Sequence, residues 1–488
     1  MTLCTTLLCL ACLAAAAPEG RANEPAGLRV GTAAVDISPD VVPFQLRSGP
    51  SSHVHDPFHV RAVAFENGDG RAAIALVDDI GVGREWTDEA KAEAARQTGW
   101  DAGQMLVCAT HTHTAPKGGD TSPGRIAYEK RRREGLTAAL VGAIGTLQPA
   151  QVGFASDAEP SEVYNRRWYL KPEADHGNPF GGLDQVRTNP PRPDLLRPAG
   201  PVDPEVAVID VRTRRGRPLA VISNYALHYV GGVPQATRPD GREEGMASAD
   251  YFGEFARIMP HRLGGTNPPE GFVALLTNGA SGDINNIDFH GTRPPRAPFE
   301  QIRLVAAKVA DAAWRAVKKI ERYDADPAIA VRQREVALNY RVPTPAEVEN
   351  ARRLLALPRQ EREAVHPRAD GYARTVVRMA DPEHPRTEAV LIQAVRIGDQ
   401  AIVALPFETF VETGLELKEK SPFPRTLVIG LANGSEGYLP TPEQHKLGGY
   451  ETWLGTSKFE EDASEILTRE LLAMLTELRT AESASETE

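Results

Sequence analysis

Residue types able to do chemistry gather just after short apolar runs. Residues 105–109 (MLVCA) lead into Thr110-His111-Thr112-His113-Thr114, and 219–223 (LAVIS) lead into Asn224-Tyr225-Ala226-Leu227-His228. Residues 272–276 (FVALL) lead into Thr277-Asn278-Gly279-Ala280-Ser281-Gly282-Asp283, and 401–405 (AIVAL) into Pro406-Phe407-Glu408. His111 and His113 flank a single residue, so an extended backbone points both to one side. With His228 and Glu408 they offer neutral nitrogen and carboxylate donors of the kind that hold zinc. Three or four such ligands leave a position for water, and the chemistry that follows is metal-assisted hydrolysis. The H-x-H spacing is far less specific than H-E-x-x-H, and taken alone it fits a polar turn equally well. Likewise a His at a strand end is commonly a hydrogen-bonded structural residue, and a Glu after Pro-Phe commonly a helix N-terminal acid.

These groups need elements to position them. Residues 72–77 (AAIALV) and 426–431 (TLVIGL) join the four runs above as apolar, buried strands. Between them lie helical patterns, which together predict a mixed α/β fold with a β-sheet core flanked by helices. Thr87-Asp88-Glu89 reads as a helix start, and Thr344-Pro345-Ala346-Glu347 as a capping box with Pro at the first helical position. A helix over 302–320 repeats Val305, Val309, Ala312, Ala316 and Ile320, and another from Ser464 repeats Leu467, Leu471, Leu475 and Leu478. Residues 171–205 and 286–300, rich in Pro and Gly, read as loops. The first is long enough to be either a functional lid or a mobile insertion. In α/β sheets, ligand sites form beyond the carboxyl ends of strands, where all four polar segments fall.

The chain has 488 residues, a formal charge of -11 and 25 % charged residues. The acidic balance argues against nucleic acid as a partner, since phosphate backbones are held by positive patches. The opening MTLCTTLLCLACLAAAAPEG reads as a signal peptide and leader over 1–24, implying a secreted or periplasmic protein, with Cys12 in LAC leaving a lipoprotein tether open. Cys4, Cys9 and Cys12 fall in that leader, so the processed chain would keep Cys108 alone and form no internal disulfide. A single catalytic domain over 25–480 and a polar, disordered tail over 481–488 complete the expected organisation.

Taken in order, the segments resemble the neutral, non-lysosomal ceramidase family, as a divergent bacterial-type member. The likeness runs from Val30-Gly-Thr-Ala-Ala-Val-Asp-Ile-Ser-Pro and His55-Asp-Pro-Phe-His through Thr110-His-Thr-His-Thr-Ala-Pro and Tyr164-Asn-Arg. It continues through Asn224-Tyr-Ala-Leu-His, Ser248-Ala-Asp-Tyr, Gly282-Asp-Ile-Asn and Gly430-Leu-Ala-Asn. The resemblance implies one zinc ion per chain, held by His111, His228, Glu408 and Tyr438, with Glu412 and Tyr450 as competitors for the last two places. It implies a zinc-dependent hydrolase of a ceramide-like N-acyl amide bond, using a metal-activated water. His113 would act as an acid or donor, Arg166 would orient the substrate, and Asp283 would orient a ligand His or cap a loop. Asn165 and Asn278 would touch substrate. Asn285 stands where ceramide-cleaving members carry a serine, and an amide cannot act as a nucleophile, which puts ceramide itself in question. The family's C-terminal immunoglobulin-like domain is expected to be missing. The implied partner is a small-molecule or lipid amide, with possible peripheral membrane contact. A metal-dependent esterase or amidase acting on a non-sphingolipid substrate, or a non-catalytic binding protein, remains open on the same scaffold.

Overall fold

The computed structural model describes residues 27–485 apart from 117–120, 238–240 and 266–268. The expected leader therefore lies outside the described residues. Eight strands form the main sheet: β1 (Arg29–Asp36), β2 (His59–Asn67), β3 (Gly70–Val77), β4 (Met105–Ala109), β5 (Gln148–Ala158), β6 (Glu205–Thr213), β7 (Pro218–Tyr225) and β8 (Val273–Asn278). Their order from edge to edge is β8-β7-β6-β5-β1-β2-β3-β4. Pairing is antiparallel through the middle and parallel at both ends, between β3 and β4 and between β7 and β8. A second sheet of β9 (Ile329–Asn339), β10 (Thr387–Ile397), β11 (Gln400–Ala404) and β12 (Arg425–Ile429) ends in a third parallel pair, β11 with β12.

A parallel pair requires a crossover, and each of these three uses a helix: Arg84–Thr98, Asp250–Gly264 and Val411–Lys420. Alternation along the strands then sorts side chains into layers. Ile74, Leu76, Leu106, Ile222 and Leu275 from the main sheet meet Val395, Ile402, Leu427 and Ile429 from the second in one buried cluster. The opposite faces carry the helices. Ala73, Ala75 and Val107 pack on Leu136, Ala139 and Leu140 of the helix Pro123–Gly145, while Ala394 and Val403 pack on Leu467 and Leu471 of the helix Ala463–Ser485. The mixed α/β fold with a helix-flanked sheet core is thus borne out, with two sheets face to face where one core sheet was expected.

A short strap, residues 430–433, ties the strand tips together. Gly430 N donates to Asn278 O at 3.1 Å, Ala109 N to Leu431 O at 3.1 Å, and Asn433 N to Val107 O at 2.7 Å. Leu431 and Asn433 adopt positive φ values of 52° and 57° to turn these groups inward, a conformation Asn tolerates better than most residues. Asn433 adds its side-chain oxygen to Val107 N at 3.2 Å.

Several local expectations change. The first crossover helix starts at Arg84 with Gly83 as its cap, and Thr87 sits one turn inside, its hydroxyl donating to Gly83 O and Arg84 O. Thr344 does cap its helix, with the reciprocal Glu347 bonds of a capping box. Residues 171–205 are not structureless: Val186–Thr188 and Leu195–Pro198 flank Arg167–Leu170 in a small sheet. The last helix continues through Ser485, beyond the expected boundary at 480, and 486–488 lie outside the described residues. Among the described residues no helix is long and apolar enough to cross a membrane.

Candidate active site

The carboxyl ends of the three parallel pairs converge on one cavity of about 910 Å³. Ile80 follows β3, His111 and His113 follow β4, His228 follows β7, Glu408 follows β11 and Tyr438 follows β12, and all six line it. His111 turns into the cavity at a φ of 72°, anchored by its own N–H to Asp79 O at 2.9 Å. Its Nδ1 lies 2.6 Å from Ile80 O. A carbonyl only accepts, so Nδ1 carries the proton and Nε2 presents its lone pair to the cavity.

The same reasoning fixes His228. Arg166 Nη1 lies 2.9 Å from His228 Nδ1, and a guanidinium only donates, so Nδ1 accepts and Nε2 carries the proton. His228 Nε2 then donates to His113 Nε2 at 2.8 Å. His113 Nε2 is also 3.3 Å from His111 Nε2. Glu408 Oε2 lies 3.4 Å from His111 Nε2 and 3.6 Å from His228 Nδ1, buried and, among the described residues, without a hydrogen-bond partner. Glu408 and Tyr438 are opposed in a two-residue parallel ladder, which brings the phenol beside the carboxylate.

Burial decides the electrostatics here. It pushes His113 down to about 3, with His111 adding to the effect, and it holds His228 well below the ordinary imidazole range, helped by Arg166. For Glu408, burial alone would raise the carboxyl, but His111, Arg166 and the Tyr438 hydroxyl together outweigh it and leave it below its usual value. Burial raises Tyr438 well above the usual phenol range. The cluster is therefore two buried imidazoles and a third partly buried one, all within 4.8 Å of one another, facing an ionised carboxylate whose Oε2 has no donor among the described residues. Three histidines so arranged could hold a metal ion, and imidazole with carboxylate suits a first-row divalent cation.

Arg166 is held from behind. Its Nε donates to Glu451 Oε1 at 2.8 Å, and Arg167 Nη1 donates to Glu451 Oε2 at 2.8 Å, while Thr188 Oγ1 adds a bond at 2.5 Å. Glu451 is fully buried, and the two guanidinium groups hold its carboxyl below the usual range although burial opposes them. The Arg166 guanidinium lies 5.3 Å from the centroid of the Tyr438 ring.

Other expected residues stand elsewhere. Asp283 is fully buried, accepts from Val411 N at 2.9 Å and from Asn165 Nδ2 at 2.8 Å, and does not line the cavity, so it orients a turn and an amide with no bond to a histidine. Asn165 is taken up by Asp283, Pro201 O and Arg167 N, and Asn278 accepts from Ser281 Oγ at 2.9 Å; neither lines the cavity. Asn285 also stays behind the wall. Its Nδ2 donates to Asn189 Oδ1 at 2.6 Å, and Asn189, from the segment read as a loop, is the residue that reaches the cavity. Glu412 bonds Gln444 Nε2 at 2.8 Å, which leaves Glu408 as the acid beside the histidines. Tyr450 lines the cavity with its ring centroid 5.6 Å from that of Tyr438. Sequence reasoning did not find Glu451, Asn189, Arg47 or Arg368; only Glu451 had a signal, its place next to Tyr450.

No family model and no curated protein sequence matches the chain. Among solved structures it superposes on one described as ceramidase complexed with C2, with a TM-score of 0.69 and 16 % identity, covering 94 % of this chain and 76 % of that one. It superposes equally on the neutral ceramidase from Pseudomonas aeruginosa, with a TM-score of 0.67, 16 % identity and coverage of 94 % and 75 %. The fold is neutral ceramidase-like. At this identity the likeness is one of architecture, and the ceramidase fold gives the histidine cluster its frame without fixing what is bound or cleaved there.

Proposed function

We propose that the protein is a zinc-dependent hydrolase of an N-acyl amide bond, the bond class named by its ceramidase-like neighbours. The observation that carries this reading is the buried, donorless Glu408 Oε2 standing 3.4 Å from His111 Nε2 and 3.6 Å from His228 Nδ1. Ligand atoms about 2.0–2.2 Å from a tetrahedral ion are roughly 3.3–3.6 Å apart, so Glu408 Oε2 and the His111 Nε2 lone pair fit one zinc, and His228 would join them once a ring nitrogen gives up its present hydrogen bond to Arg166 or His113. His111, His228 and Glu408 would hold it, with the Tyr438 hydroxyl as the fourth protein ligand. When bound, zinc supplies a Lewis acid and brings the pKa of an attached water to about 7.

The chain's own residues do the rest. His113 Nε2, neutral and hydrogen-bonded to His228, is the group to accept a proton at the reacting centre and return it to the departing amide nitrogen. Arg166, fixed by Glu451, keeps a cationic donor turned toward His228 and the developing negative charge on the carbonyl oxygen. Asn189 has its carbonyl oxygen engaged by Asn285, which leaves its amide N–H groups for the substrate. Asn285 thus supports a cavity residue where a serine was looked for. The first test is release of free amine from short N-acyl amides before and after chelation. Turnover that vanishes with chelator and returns with zinc is expected; turnover unaffected by thorough chelation would refute the reading.

A further inference from the structure

Part of the positive charge on the cavity wall has no acidic partner among the described residues. Four arginines line it: Arg47, Arg166, Arg187 and Arg368. Arg166 is paired with Glu451, and Arg187 with Asp175 at 3.3 Å. Among the described residues Arg47 and Arg368 have no carboxylate partner. Arg368 lies over the Tyr450 ring, 4.8 Å from its centroid, which braces the side chain at the cavity wall. The acids on the wall are already engaged: Asp184 accepts from Trp453 Nε1 at 2.7 Å and Gly449 N at 2.9 Å, and Glu408 faces the histidines. His366, beside Arg368, also lines the cavity, and after burial the charges of Arg368 and Arg187 are what lower its pKa.

A neutral two-chain lipid makes no use of such a wall. Alkyl chains gain about 0.8 kcal/mol for each methylene buried against apolar surface, and an uncompensated guanidinium beside them would be desolvated at a cost. An anion on the substrate reverses that balance, because guanidinium–carboxylate hydrogen bonds are strong and planar.

We infer that the cavity takes an N-acyl amide bearing an anionic group, as in an N-acylated amino acid, and that Arg47 and Arg368 hold that group. This rests on the hydrolase reading for the word substrate, but the binding of the anion can be measured without turnover. The probes are N-hexanoylglycine, its neutral carboxamide, and a short N-acylethanolamine phosphate. Binding is measured by calorimetry on the His111→Ala variant, which cannot turn over, and hydrolysis on the zinc-loaded protein.

The carboxylate should bind at least tenfold more tightly than the carboxamide, and Arg47→Gln with Arg368→Gln should cut that preference roughly tenfold to a hundredfold. Arg368→Lys should restore part of it, which a merely structural role for Arg368 would not do. In hydrolysis the ratio of kcat/KM for carboxylate over carboxamide should fall toward one in the double variant. Tighter binding of the phosphate than of the carboxylate would keep the anion site and identify the anion as phosphate. Equal binding of carboxylate and carboxamide, or no effect of the double variant, would overturn the inference. Arginine-dependent binding with no hydrolysis of any probe would sink the hydrolase reading and leave the anion site. Hydrolysis without charge preference would do the reverse.

Discussion

Glu408 Oε2 stands 3.4 Å from His111 Nε2, buried, ionised and without a donor among the described residues. A carboxylate oxygen left so in a protein interior costs several kcal/mol unless a cation shares it.

Replacing either histidine removes a ligand, so His111→Ala and His228→Ala should each lose both zinc and activity. Asn285→Ser should leave metal content intact, because Asn285 bonds Asn189 behind the cavity wall. Metal analysis of the three purified variants checks this, and full zinc occupancy in both histidine variants would refute the ligand assignment.

Glu451 neutralises Arg166 and Arg167 in a site closed to solvent. Glu451→Gln leaves two buried cations short of a partner and should cost about 3–5 kcal/mol of stability. Urea denaturation measures it; a loss below about 1 kcal/mol would mean that water reaches the site.

Glu408 is also fixed through its backbone. Gly282 packs so closely that an added Cβ would collide with the Glu408 carbonyl oxygen and come within 2.8 Å of its carbonyl carbon. Gly282→Ala should therefore weaken zinc binding about tenfold or more while every ligand side chain is kept. A competition titration with a chelator reads the change.

Burial, with Arg341 and Arg167, pushes His445 from 6.5 down to about 3 in the folded protein. A depressed folded value means that its stabilising contribution is full above 6.5 and is lost as pH falls from 6.5 toward 3. The loss approaches about 1.4 kcal/mol for each pH unit within that window. His445→Gln should flatten the stability profile there; an unchanged slope would show that other groups set it.

What the sequence revealed, and what it hid, follows physical lines. The run MLVCA coincides with a strand because five consecutive buried apolar residues, mostly suited to strands, admit few alternatives. The polar segments after it could be named for the same reason. Which side chains then face inward depends on turns that periodicity does not encode. Asp283 and Asn285 face away from the cavity, whereas His111 enters it through a positive φ. Thr87 resembled a cap because a hydroxyl bonding a carbonyl in the first turn leaves the same trace in sequence as one bonding an N–H. Arg47 and Arg368 belong to exposed loop and helix-edge positions, where only the assembled cavity gives an isolated arginine a meaning. The small sheet across 171–205 escaped notice because its strands are three and four residues long and pair with Arg167–Leu170.

The most direct measurement is a crystallographic anomalous map of the purified protein, collected on both sides of the zinc absorption edge. One peak per chain is expected, in contact with His111 Nε2, His228 and Glu408 Oε2 and present only above the edge. A map with no peak among these atoms, from protein that still hydrolyses an N-acyl amide, would contradict the metal site and the mechanism built on it.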